Sequence, residues 1–280
     1  MNNWYESYGI TRPFYSDDAV CIVHGDCMEI LPSLPKVDLV LTSPPYDDLR
    51  DYGGHGFDYE AIIDSIVPVL GLGAVCVWVV GDSVIDGGET GNSLRHALKF
   101  IDNGLRLHDT MIYEKNGAAY PASAKSNRYS QVFEYMFILS NGKPKTVNLI
   151  KDKANKWAGT SSFGVTTNRQ ANGVLMSGGK RIVGEYGYRD NIWRINNGKG
   201  FGGDDMSYQH PASFPEQLAG DHIMTWTNPS DIVLDPMCGS GTTLKMAIKT
   251  GRKCIGIEIE EKYCHIAATR CSQAVMNLNV

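Results

Sequence analysis

The chain has 280 residues, 42% hydrophobic and 20% charged, with a net charge of −5. Its most apolar window, Ile66 to Val80, is too short to cross a bilayer and is broken by Pro68, Gly71 and Gly73. Seven cysteines, an odd count with no C-x-x-C pair, argue against a disulfide framework or a zinc knuckle and for a reducing cytoplasm.

The N-terminus, MNNWYESYGITR, has no apolar run after a basic start, so no secretory signal is expected. "AVCIVHG" then reads as a strand that delivers Asp26 at its end. "VDLVLTS" is a near-continuous apolar strand that runs into Ser43-Pro44-Pro45-Tyr46. Two consecutive prolines make a stiff corner with a hydroxyl on one side and an aromatic ring on the other. The following "DDLRDYGGHGFD" reads as a mobile loop, with Gly53, Gly54 and Gly56 permitting closure and Arg50 able to meet a phosphate.

Helical spacing returns in "YEAIIDSIVPVL". The apolar window reads as that helix's end, a turn and the buried strand "AVCVWVVG". The helix "SLRHALKFIDNG", with Gly104 at its C-cap, precedes the strands "DTMIYE" and "EYMFILS". Residues 143–205 break this rhythm, being rich in Gly, Asn, Ser and Thr, and read as an inserted loop-rich lobe. Between Lys143 and Lys199 stand eleven Lys and Arg against three acids, a local charge of +8 within a chain that totals −5. A basic lobe on an acidic body suggests a polyanion held at one face.

The chain then resumes with the helix "FPEQLAGDHIMTW", the strand "DIVLDP", the helix "GTTLKMAIKTG" capped by Gly251, the strand "KCIGIEI" and the helix "EEKYCHIAATRCSQAV". Strands alternating with helices imply a three-layer α/β sheet, mostly parallel. Asp235 ends one strand, and Gly239-Ser240-Gly241 lets the backbone turn tightly against a ligand. Glu258 follows at the end of the next strand, where a carboxylate can accept both hydroxyls of a ribose. The turn lacks the third glycine of a dinucleotide fingerprint, and the acidic strand end would repel a pyrophosphate. It suits the cationic amino and sulfonium groups of S-adenosylmethionine.

With Ser43-Pro44-Pro45-Tyr46 and "DPMCGSGTT" both in place, the sequence resembles the DNA amino-methyltransferases, which methylate cytosine N4 or adenine N6. The former stretch matches the family's catalytic motif, making Ser43, Pro44, Pro45 and Tyr46 the catalytic candidates. The latter, Asp235 to Thr243, resembles the cofactor motif and marks Asp235, Pro236, Cys238, Gly239, Ser240, Gly241, Thr242 and Thr243. "HPASFPEQLAGDHI" is similar to the methionine-binding motif, with Phe214 and Pro215 beside the cofactor. "HGDCMEIL" matches the other cofactor strand end, where Asp26 would face the adenine amino group. "GIEIEEKY" supplies Glu258 for the ribose. The resemblance covers most of 20–140 and 208–270.

Catalytic motif before cofactor motif is the permuted order of the β class. It implies a Rossmann-like S-adenosylmethionine-dependent methyltransferase fold in three parts. Residues 1–142 would be the catalytic half of the sheet, 143–205 the basic target-recognition insert and 206–280 the cofactor half. The implied partner is double-stranded DNA, as in restriction–modification systems, with a homodimer allowed and neither membrane nor metal required. Lys151, Lys153, Lys156, Arg169, Lys180, Arg181, Arg189 and Arg194 are candidate phosphate or guanine-edge contacts. "NRYSQVFEYMFILS" resembles a later strand motif whose Tyr129 or Phe133 would line the base pocket.

The chemistry is consistent with the resemblance. An exocyclic amine shares its lone pair with the ring, and acceptors for its two N–H groups can pull it toward sp³ geometry. Ser43 Oγ and the Pro44 carbonyl would be those acceptors, aimed for in-line attack. Tyr46 would stack on a base extruded from the duplex. By the family pattern Ser at the first position leans toward cytosine N4, whereas Asp or Asn leans toward adenine N6. An RNA or protein-amide methyltransferase, a nucleotide-dependent oxidoreductase and a catalytically silent DNA-binding module are the rival readings.

Overall fold

The computed structural model describes residues 3–45, 57–117, 128–161, 166–178, 182–196 and 215–278. In chain order the strands are β1 (Tyr15–Ser16), β2 (Val20–His24), β3 (Val37–Thr42), β4 (Leu70–Val80), β5 (Val84–Ile85), β6 (Gly88–Glu89), β7 (Arg106–Lys115), β8 (Phe133–Ser140), β9 (Lys153–Ala154), β10 (Thr166–Arg169), β11 (Leu175–Gly178), β12 (Tyr186–Gly187), β13 (Ile192–Ile195), β14 (Ile232–Asp235) and β15 (Lys253–Glu258). The helices are α1 (Cys27–Ile30), α2 (Tyr59–Ile66), α3 (Asn92–Asp102), α4 (Glu216–Trp226), α5 (Thr242–Lys249) and α6 (Glu261–Leu278).

Two compact units emerge, one formed by Met1–Asn148 with Asn191–Val280 and the other by Leu149–Asp190. The first is built on a sheet in the order β1-β2-β15-β14-β3-β4-β8-β7-β13. The run from β2 through β15, β14 and β3 to β4 is parallel throughout; β8 lies antiparallel between β4 and β7. The parallel strands read as apolar runs because they are covered on both faces. Val40, Cys76, Trp78, Leu234 and Ile255 enter one core with Ile63 and Ile66 of α2 and Phe100 of α3. Leu39 and Leu41, alternating with Val40, are equally buried on the opposite face, where α4, α5 and α6 pack on one another. This is the three-layer α/β sheet that the alternation of elements implied.

Local chemistry fixes the element ends. Asp58 caps α2 by accepting from the Glu60 and Ala61 amides, and the Gly104 and Gly251 amides close α3 and α5. The first 19 residues, which match no motif, contribute the edge strand β1 and bury Tyr5 and Ile10 in the core. Gly71 and Gly73 lie inside β4, where the register with β3 shifts, so these two glycines form a bulge. All seven cysteines are unpaired and buried, and burial raises their thiol pKa values. Among the described residues no helix is long and apolar enough to cross a membrane, and no His/Cys/Asp/Glu group could hold a metal.

The segment expected as a loop-rich lobe over 143–205 divides differently. Residues 143–148 stay with the sheet unit, and Ile192–Ile195 form β13, a parallel partner of β7 that buries Trp193 and Ile195. The described residues of 149–190 pair as antiparallel two-stranded ribbon segments. At their base the Arg189 amide donates to Ile150 O at 2.9 Å; above that β12 pairs with β9, Ser161 bridges to Ile182 and β10 pairs with β11. The tip closes where the Gln170 amide donates to Val174 O at 2.9 Å.

Candidate active site

Four strand ends lie side by side along one edge of the sheet. The parallel order β2-β15-β14-β3 puts Asp26, Glu258, Asp235 and Ser43 at successive carboxyl termini. At the usual strand spacing the row spans about 14 Å. The Ser-Pro-Pro corner and the glycine turn, nearly two hundred positions apart in sequence, leave neighbouring strands. Thr243 Oγ1, at the start of α5, donates to Leu41 O at 3.4 Å, two residues before Ser43.

The acids in this row differ in environment. Asp235 is 2% exposed, and burial pushes its carboxyl up to about 6, against the opposing hydroxyls of Thr243 and Thr42 and the Met237 amide. Glu258 is also buried; desolvation raises its pKa while the amides of Glu260 and Gly239 oppose that rise. Those amides donate at 2.9 and 2.8 Å, so Glu258 holds the glycine turn to its own strand end. Asp26 is half-buried and caps α1, its Oδ1 accepting from the Met28 amide at 2.8 Å.

Cys238 is buried, and its amide donates to Ile257 O at 2.9 Å, which continues the tie between β14 and β15 past Pro236. Gly241 has φ +77° and faces Ala267 of α6 so closely that a Cβ would lie 2.8 Å from the alanine methyl. Ser240, Thr242 and Thr243 are all buried around the start of α5. The donor set is acidic along the strand ends and hydroxyl-rich at the turn. It fits a nucleoside with a cationic sulfonium arm and does not fit a pyrophosphate.

Ser43 and Pro45 are half-buried and Pro44 is buried. Tyr46, Arg50 and the expected closing loop up to Gly56 fall outside the described residues, as do Phe214, Lys180, Arg181 and the side chain of Arg169; the loop's last residue, Asp58, caps α2. Pro215 is buried and is the N-cap residue of α4. Phe133 is half-buried at the start of β8, the same edge as the carboxyl end of its antiparallel neighbour β4, whereas Tyr129 is fully exposed.

The basic candidates divide by partner. Lys153 pairs with Asp190 at 2.6 Å and Arg189 with Asp152 inside the ribbon. Lys156 lies 5.6 Å over the Trp157 ring, and Lys151 is exposed. Arg194 is not in the ribbon at all; it projects from β13 and pairs with Glu114 of β7 at 2.8 Å. Sequence reasoning passed over Arg270, fully buried in α6, and Glu216, which opens α4. The available signal was an arginine within an apolar helical stripe beside Ala267, Cys271 and Ala274.

Comparison with known proteins bears on this geometry. A DNA methylase family model matches residues 37–269. The orphan methyltransferase M.BamHII of Bacillus amyloliquefaciens is 48% identical over 254 residues, covering 90% of this chain and 92% of that protein. Among solved structures, PvuII DNA methyltransferase (cytosine-N4-specific) is similar with a TM-score of 0.67 at 21% identity, over 93% of this chain and 89% of that one. M1.HpyAVI in complex with SAM gives a TM-score of 0.60 at 24% identity, over 90% and 99%. At those identities the structural likeness is one of fold.

Proposed function

The chain belongs to the DNA methylase family and is an S-adenosylmethionine-dependent DNA amino-methyltransferase, and on that premise we propose that it methylates the N4 nitrogen of a cytosine turned out of duplex DNA. The observation that carries the reading is the adjacency of β3 and β14, which lets the Ser43 corner and the glycine turn serve one cleft. When bound, the cofactor supplies an electrophilic methyl group on a sulfonium.

In this reading the residues take the roles that the family motifs imply, and the order of the strand ends supports them. Asp26 and Glu258, at the ends of the adjacent strands β2 and β15, take the adenine amino group and the ribose hydroxyls. Asp235 offers a buried carboxylate to the cationic end, while Pro215, Phe214 and the turn from Pro236 to Thr243 wall the methionine arm. Ser43 Oγ and the Pro44 carbonyl accept the two amine N–H bonds, directing the nitrogen lone pair along the axis of the breaking carbon–sulfur bond. Pro45 keeps that carbonyl in place, and Tyr46 stacks on the extruded base. The nitrogen becomes cationic on transfer and then releases its proton to water, so no general base is assigned. Cytosine is preferred to adenine on the family pattern alone, in which Ser at the position of Ser43 goes with cytosine N4 and Asp or Asn with adenine N6.

The ribbon, 149–190, is the target-recognition element in this reading. A two-stranded ribbon fits the width of a major groove. Exposed Lys151 and Lys156 are the first candidates for phosphate contact, whereas Lys153, Arg189 and Arg194 must first release carboxylate partners. Seven buried, unpaired thiols accord with a reducing cytoplasm.

Methylation of duplex DNA with labelled S-adenosylmethionine, followed by nucleoside mass spectrometry, tests the assignment. N4-methylcytosine is expected, and N6-methyladenine would overturn the base. Label found only in RNA or protein would overturn the substrate. Ser43→Ala should lower turnover roughly a hundredfold, in the range of a lost transition-state hydrogen bond, with S-adenosylhomocysteine affinity nearly unchanged.

A further inference from the structure

Arg270 lies among Cys264, Ala267, Cys271 and Ala274, the buried residues of α6, and is itself 0% exposed. A guanidinium in such a place is costly unless its donors are met. Nη1 donates to the Ser240 carbonyl at 2.5 Å, to Ser240 Oγ at 3.2 Å and to Thr242 Oγ1 at 3.2 Å. Nη2 donates to Glu216 Oε1 at 3.1 Å. One cation thus joins the glycine turn, the first residue of α5 and the first residue of α4.

Glu216 is shared further, with Lys245 at 2.6 Å and Lys249 at 3.3 Å. Three cations around one carboxylate leave surplus positive charge beside α5, and Arg270 is the one that brings it to the helix start. The remainder of the row, Asp26, Glu258 and Asp235, is acidic. A ligand carrying both a cation and a carboxylate can therefore set its carboxylate favourably only at the Ser240–Thr242 end. A hydroxyl oxygen that accepts from a guanidinium also keeps its own proton for another acceptor, so Ser240 and Thr242 are held as donors.

Resting on the cofactor site proposed above, we infer that Arg270 is a positioning residue for the amino-acid half of S-adenosylmethionine: it fixes Ser240 and Thr242 as hydroxyl donors and holds α4 to α5 where the cofactor's carboxylate is received. It acts from behind the turn, through those two side chains.

Calorimetric titration of the full chain with two ligands tests this. S-adenosylhomocysteine carries the amino-acid arm, and 5′-methylthioadenosine has the same nucleoside and thioether without it. Arg270→Met should weaken S-adenosylhomocysteine about tenfold or more while 5′-methylthioadenosine stays within roughly twofold, and Arg270→Lys should recover part of the loss. Ser240→Ala and Thr242→Val should show the same inequality more weakly, and they decide the matter alone if Arg270→Met does not fold. Equal loss of both ligands would make Arg270 a support of the fold only, and no loss of either would remove the role; both outcomes overturn the inference. Wild-type protein that bound neither ligand would instead bring down the cofactor site itself.

Discussion

Asp235 shows how one side chain can link stability to cofactor binding. Its folded-state pKa of about 6 stands above the ordinary 3.8 because burial disfavours the carboxylate. A carboxyl shifted upward in this way contributes stability that is intact below the ordinary value and is lost as the pH climbs through about 6. At neutral pH the ligand-free chain therefore carries a buried charge at a cost of roughly 3 kcal/mol, which a cationic ligand offsets. Asp235→Asn is accordingly expected to raise the Tm of the ligand-free chain at pH 8, to raise it about half as much at pH 5, which lies between the two pKa values, and to weaken S-adenosylmethionine binding about tenfold or more. Scanning calorimetry at the two pH values and titration at pH 8 check both halves of that expectation. The acids themselves were legible in the sequence because each follows a strand pattern. Arg270 was not, because its meaning depends on Glu216 and Ser240, which are 54 and 30 residues away.

At the scale of elements, the helix pair α5–α6 depends on a missing side chain. Gly241 turns with a left-handed φ of +77°, and a Cβ there would meet Ala267 Cβ at 2.8 Å and its Cα at 3.1 Å. Gly241→Ala should cost about 2 to 4 kcal/mol in denaturant unfolding, from backbone strain and overpacking together. Adding Ala267→Gly should return the steric part and leave the backbone part. A double-mutant cycle that found the two changes simply additive would contradict this account. Periodicity identified β2, β3, β4, β8, β14 and β15 because each is an apolar run packed against helices, and β7 from its apolar middle, where Met111 and Tyr113 are buried. It missed β13, whose four residues alternate in burial amid Gly- and Asn-rich sequence. The ribbon strands were also missed: those whose side chains are described are largely exposed, so they leave little alternation to read.

For the molecule as a whole, the division into two units implies a separation of tasks. The backbone bond from Arg189 to Ile150 closes the ribbon at its base, so its two ends enter and leave at one point. Replacing 151–188 by a short turn should leave S-adenosylhomocysteine binding within roughly twofold and Tm within a few degrees. It should also abolish methylation of duplex DNA, and retained methylation would show that recognition resides elsewhere. Every cysteine belongs to the sheet unit, at Cys21, Cys27, Cys76, Cys238, Cys254, Cys264 and Cys271, and each is shielded. Oxidants and electrophiles thus find no exposed thiol on an intact molecule, while one that opens bares seven together. Thiol-directed injury in a stressed cell would fall on copies already unfolding and spare those still at work.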